Sequence, residues 1–150
     1  MSGDNDNRLV GTWKLLSASS ATTAGQENPY GLNPVGFLTY TGDGRVTALI
    51  SYDGRKRLSA LSVGGGPQAV PEEQAEAFRT FLAYAGRYTL NGDKVIHHME
   101  ISSIQNWVGE DAIRTVRFEG DRIVLKTPIT VVNGKLQRVE LVWQRLTPCP

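Results

Sequence analysis

The residues of this 150-residue chain best equipped for chemistry sit in one short stretch, His97-His98-Met99-Glu100, followed closely by Arg114. A histidine can move a proton near neutral pH, and a glutamate can take one up. An arginine can hold a carboxylate or enolate through two parallel hydrogen bonds. The stretch reads as a strand, where successive side chains point to opposite faces. One face carries Val95, His97, Met99, Ile101 and Ser103; the other carries Ile96, His98, Glu100, Ser102 and Ile104. The apolar balance slightly favours the first face as core. If the second faces inward, His98 and Glu100 enter the interior. Arg114, on a following strand read inward at Ala112, Arg114, Val116 and Phe118, can then meet them. Buried charge is costly unless paired and hydrogen-bonded. The three groups therefore form either a closed polar network that helps specify the fold or a cluster aimed at ligand oxygens.

Further candidates for ligand contact are the tyrosines Tyr40, Tyr52 and Tyr88, whose hydroxyls can donate to a bound molecule and which are equally ordinary strand residues. Trp107 falls in a turn after a strand, where it can line a cavity mouth, and Phe118 belongs to the inward set beside Arg114. No metal is expected. His97 and His98 point to opposite faces, no third histidine exists, and Cys149 is remote, so a zinc or non-haem iron site lacks its ligands. The stretch Val63-Gly64-Gly65-Gly66-Pro67 lacks the Lys-Ser/Thr ending of a phosphate loop. There is no Gly-x-Ser-x-Gly elbow, and no cofactor is expected.

The elements that must position these residues are short β-type runs separated by Gly-Asp and Asn-Gly signals, the mark of an all-β chain. Runs are read at 10–19, 35–41, 45–52, 87–90, 94–104, 112–119, 122–127, 130–132 and 136–146, with a long loop over 21–34 and a Gly-rich loop over 63–71. Tight turns fall at Gly42-Asp43-Gly44, Asn91-Gly92-Asp93, Gly120-Asp121 and Asn133-Gly134-Lys135, because glycine tolerates the positive φ that such turns demand. One helix is expected at about 71–84. Pro71 suits a first turn, Glu72 and Glu73 complement the dipole, and Ala75, Phe78, Leu82 and Ala85 form an apolar stripe that should pack against the sheet. Gly86 supplies the stop. Eight or nine strands joined by hairpins make an antiparallel meander, and closing it into an up-and-down barrel removes the exposed edges. Such a barrel has room for side chains or one small ligand.

Length favours one domain: a barrel over 9–146, with tails at 1–8 and 147–150. Sixteen basic and fifteen acidic residues leave a formal net charge of +1. That balance gives no electrostatic case for nucleic acid or for an anionic membrane. A single cysteine gives no internal disulfide to suggest secretion. The polar start MSGDNDNR lacks a signal core, and no apolar run is long enough to span a membrane. A cytoplasmic monomer or homodimer is the expectation.

Three features together resemble lipocalin-type proteins. Gly11-Thr12-Trp13 on the first strand matches the Gly-x-Trp element of that superfamily, and the last strand, residues 139–146, carries Arg145 near its end. The middle of the chain, with His97-His98-Met99-Glu100, Asn106-Trp107-Val108-Gly109, Arg114 and Phe118-Glu119-Gly120-Asp121-Arg122, resembles the bacterial and fungal lipocalin-like domain proteins. The resemblance implies a calycin-type barrel whose floor is made by Trp13, Trp143 and Arg145, with the arginine packed over Trp13 as a cation–π pair. It then puts Leu15 and Ser17 inside with Trp13. It also favours the His98–Glu100 face as the inward one, and that face is taken here.

The reading that follows is a binding protein that holds a small, largely apolar or amphipathic molecule in the barrel, as carrier, sensor or sequestering protein. The alternative, which the resemblance implies, is a cofactor-free cyclase or isomerase acting on a polyketide- or terpenoid-type natural product. A shaped pocket would hold the substrate near its attack geometry, with His98, Glu100 and Arg114 transferring protons and stabilising an oxyanion. A barrel filled by its own side chains, acting as an interaction module, is the third class.

Overall fold

In the computed structural model, residues 7–23, 25–60 and 70–150 are described, the side chain of Val132 excepted. The tail residues 1–6 and most of the Gly-rich stretch, 61–69, lie outside them. Ten strands form one sheet: β1 (Gly11–Thr22), β2 (Gly25–Glu27), β3 (Val35–Tyr40), β4 (Arg45–Ser51), β5 (Phe81–Asn91), β6 (Lys94–Ser102), β7 (Asp111–Glu119), β8 (Arg122–Lys126), β9 (Thr130–Val132) and β10 (Lys135–Arg145). The order β1-β3-β4-β5-β6-β7-β8-β10 is closed by antiparallel pairing of β10 with β1, Trp13 opposite Arg145. The result is an eight-stranded up-and-down barrel, with β2 and β9 as short additions at the ends of β1 and β10.

Alternation of apolar and polar residues decides which side of each strand turns inward. Leu38 and Tyr40 on β3, Val46, Ala48 and Ile50 on β4, and Tyr84 and Tyr88 on β5 are buried, and their immediate neighbours are largely exposed. Two β-bulges shift this phase. In β1 the register slips between Leu15 and Ser17, so Trp13, Leu15, Ala18 and Ser20 point inward and Ser17 is exposed, contrary to simple alternation from Trp13. In β6 an extra residue, Glu100, lies between Met99 (opposite Gly86) and Ile101 (opposite Ala85). The close approach there needs a glycine: a Cβ on Gly86 would stand 1.9 Å from the carbonyl oxygen of His98.

The helix is shorter than its apolar stripe predicts. α1 spans Pro71–Arg79, with Glu72 and Glu73 in its first turn, and ends at Thr80. Residues 81–84 belong to β5, because Leu82, Tyr84, Gly86 and Tyr88 also satisfy period two and the sheet offers them ladder partners. Phe78 is 49% exposed and no residue of α1 is buried, so the stripe does not form core. The predicted loop at 21–34 likewise holds the end of β1 and all of β2.

One end of the barrel is closed by the chain leading into β1. Leu9 is fully buried, and its carbonyl accepts the Trp13 indole N–H at 2.8 Å. The Arg145 guanidinium stacks 4.1 Å over the Trp13 ring and donates to the carbonyls of Val10, at 2.7 Å, and Arg8. Gly11 (φ +135°) makes this possible: it adopts a conformation that side chains disfavour, and a Cβ there would lie 2.8 Å from an Arg145 nitrogen. Tyr88 donates to the carbonyl of Thr41 at 2.7 Å and accepts from Asn7 at 2.8 Å, which ties the chain leading into β1 and the end of β3 to β5.

Candidate functional site

Within the barrel lies a cavity of about 240 Å³, lined by residues from almost every strand. Leu38, Ala48, Ile50, Leu82, Leu125, Val139 and Leu141 give it apolar walls. Its polar groups are those of Tyr30, Tyr84, His97, Arg114 and Thr127, with Trp107 and Trp143 adding large aromatic surfaces. Apolar walls with a few converging polar groups are the usual make-up of a small-molecule site.

The inward histidine is His97. On β6 the buried set is Val95, His97 and Met99, so the face carrying His98 and Glu100 turns outward, the reverse of the expectation taken from the resemblance. The physical reason is plain in the packing. His98 and Glu100 find charged partners on the outer surface, whereas Val95 and Met99 fill the core. His98 Nδ1 lies 2.7 Å from Asp111 Oδ1 and its Nε2 lies 3.1 Å from Thr89. Glu100 accepts from Arg45 at 3.0 Å and from Arg87 at 3.3 Å. Neither residue reaches the cavity, so the proton-transfer cluster of His98, Glu100 and Arg114 does not assemble inside the barrel.

His97 is 1% exposed and held at both ring nitrogens, Nε2 2.7 Å from the Tyr40 hydroxyl and Nδ1 2.7 Å from the Tyr84 hydroxyl. Burial above all, then the positive charge of Arg114 and the neighbouring His98 ring, push its pKa down to about 3. It is thus a neutral imidazole at physiological pH, one nitrogen donating and the other accepting. Burial likewise pushes the Tyr40 and Tyr84 phenols above their ordinary range, an effect that the Arg114 charge partly opposes. Tyr30, packed at a tilt against Tyr52 with ring centres 4.8 Å apart, is pushed up to about 12, chiefly by burial.

The other predicted ligand contacts divide. Trp107, on a single 3₁₀ turn after β6, and Arg114 on β7 line the cavity, with Trp107 set edge-on to Tyr84 at 6.3 Å. Tyr40 is wholly buried and supports His97 from behind. Tyr52 backs Tyr30. Tyr88 and Phe118 belong to the closed end, where Arg8 stacks 4.1 Å over the Phe118 ring. Trp13 and Arg145 form the floor, while Trp143 both packs in the core and lines the cavity. Tyr30, Tyr84, His97 and Thr127 are the polar lining residues that sequence reasoning missed. Tyr84 was legible in period two with Leu82 and Tyr88, and His97 in the apolar balance of its face; Tyr30 lies in a loop and gave no signal.

Among the described residues no three His, Cys, Asp or Glu side chains converge as a metal site, and no helix is long and apolar enough to cross a membrane. The lipocalin-like domain family matches residues 10–146. The chain belongs to this family. A 4'-hydroxy-3'-methoxypropiophenone carrier protein (ppsC) of Aspergillus oryzae is 40% identical over 85 residues, covering 50% of this chain and 76% of that protein. Solved structures that the chain matches include an uncharacterized protein from Bacteroides eggerthii (13% identity, 92% of this chain and 99% of that one, TM-score 0.41). Another is the REP1-NXSQ fatty acid transporter (10% identity, 95% and 98%, TM-score 0.41).

Proposed function

We propose that this lipocalin-like protein is a carrier or sequestering protein for one small, largely apolar molecule of single-ring size, bound inside the barrel. The observation that carries the reading is the cavity of about 240 Å³ with apolar walls and a few polar groups. A dry cavity of about 150 Å³ suffices for benzene, so the space suits one substituted aromatic ring. The A. oryzae relative, a carrier named for an aryl ketone of that size, supports the same class of ligand.

The reading is tested by titrating the protein with 4'-hydroxy-3'-methoxypropiophenone and simpler aryl ketones. Fluorescence of Trp107 and Trp143, both on the cavity wall, and native mass spectrometry give the readouts. Saturable one-to-one binding is expected. Ala48→Leu, which adds volume at a buried lining position, should weaken it at least about tenfold, or about 1.4 kcal/mol, in a protein that remains folded. A flat titration with every single-ring ketone and phenol, together with a clean apo mass, would overturn it.

A further inference from the structure

Arg114 lines the cavity, yet among the described residues no aspartate or glutamate does. Among the described residues Arg114 takes part in no ion pair. Its one hydrogen bond within the described residues runs from Nη1 to the carbonyl of Ile113, at 2.9 Å. A guanidinium carries five N–H donors, and the others have no protein partner among the described residues. Arg114 is half-buried, and with His97 neutral it is the one charged side chain that lines the cavity among the described residues. A bound anion can supply the counter-ion that the wall lacks.

The histidine network adds a second donor. A neutral imidazole donates from one nitrogen only, and His97 touches a tyrosine hydroxyl at each. One tyrosine therefore receives a hydrogen bond and keeps its own proton for another acceptor. Tyr84 lines the cavity and Tyr40 lies behind. When Tyr40 donates to Nε2, Nδ1–H donates to Tyr84, and the Tyr84 hydroxyl proton is left for an acceptor in the cavity.

Resting on the reading of the barrel as a ligand cavity, we propose that it selects weakly acidic phenols and binds them as phenolates, with Arg114 as counter-ion and Tyr84 as a second donor to the ligand. The ionisation is a simple proton release: the phenol O–H bond breaks, its electron pair stays on oxygen, and the proton goes to bulk solvent. Among the described residues nothing in the cavity accepts it, since His97 resists protonation and no carboxylate of theirs lines the wall.

The test uses two probes on the full chain, 4'-hydroxypropiophenone and its O-methyl ether, 4'-methoxypropiophenone, which cannot ionise. Phenolate absorbs at longer wavelength than phenol, so the protonation state of the bound ligand is read directly. At a pH just below the ionisation of the free phenol, the bound probe should show the phenolate band. Its pKa should fall by about one unit or more, equivalent to about a tenfold preference over the ether. Arg114→Met should abolish the band and the preference, while its binding of the ether reports that the pocket is still formed; Tyr84→Phe should weaken the band. If the wild-type protein binds phenol and ether alike and the bound phenol remains neutral, the anion proposal falls and the cavity reading stands. If neither probe binds, both fall.

Discussion

At the closed end of the barrel, polar side chains meet protein partners: Trp13 donates to Leu9, Arg145 to Val10 and Arg8, Tyr88 to Thr41. In the cavity the pattern differs. Arg114 has no counter-ion among the described residues, and the buried indole N–H of Trp143 has no partner there. The same strands build both regions, so the contrast is one of side-chain choice and not of fold. A region whose donors are satisfied internally holds the barrel shut; a region whose donors are not is suited to receive something. Two arginines show it best. Arg145 spends its charge on an aromatic face and two carbonyls, whereas Arg114 donates to one carbonyl, that of Ile113, and pairs with no carboxylate among the described residues.

Damage to the closed end should therefore appear first as lost stability. Trp13→Ala removes the largest fully buried side chain and leaves the Arg145 guanidinium without the ring beneath it. Truncations of this kind cost about 3–5 kcal/mol, which urea denaturation at fixed pH would measure. A loss under about 1 kcal/mol would show that this end is not the keystone described here.

In the cavity, His97 should matter at a smaller scale and with a pH signature. His97→Phe leaves the buried hydroxyls of Tyr40 and Tyr84 without their partner, a cost of about 1–3 kcal/mol near neutral pH. In the unfolded chain the histidine takes up a proton near its ordinary value of 6.5, and in the fold only near 3. Between these values the unfolded state binds more protons, so the stability is fully present above pH 6.5 and falls as the pH drops toward 3. The slope this one group can add approaches about 1.4 kcal/mol per pH unit. His97→Phe should flatten the fall in the urea midpoint between neutral and mildly acidic pH. Identical slopes in both proteins would mean that His97 is not buried neutral.

The barrel was legible because its turns are written in glycine, asparagine and aspartate, and because most strands alternate cleanly. The family resemblance put Trp13, Trp143 and Arg145 at the floor; Trp13 and Arg145 meet there, while Trp143 lines the cavity, as does Arg114, which was read as an inward charge. What failed was phase. The extra residue at Glu100 splits its strand into two registers, so neither face alternates throughout: Val95, His97 and Met99 point inward, but Ile101 beyond the bulge is 66% exposed. Ser17 was misplaced by the other bulge for the same reason. Residues 81–85 satisfied helical and strand periods together, and tertiary pairing chose the strand. Bulges and strand pairing depend on partners distant in sequence, which local pattern cannot display.

The smallest expected effect is also the sharpest check on inside against outside. His98 and Glu100 are neighbours of the cavity in sequence but lie on the outer surface, in pairs whose side chains are 24–58% exposed for His98–Asp111 and 46–55% exposed for Glu100–Arg45. Exposed pairs of this kind are worth between nothing and about 1 kcal/mol, because water already solvates both partners and salt screens them. His98→Ala and Glu100→Gln should each shift stability by no more than about 0.5 kcal/mol. Both variants should leave the affinity for a phenolic probe unchanged, since no atom of either side chain lines the cavity. A strong loss of binding in these two variants, with His97→Phe still binding normally, would reverse the assignment of faces on β6 and restore His98 and Glu100 to the ligand.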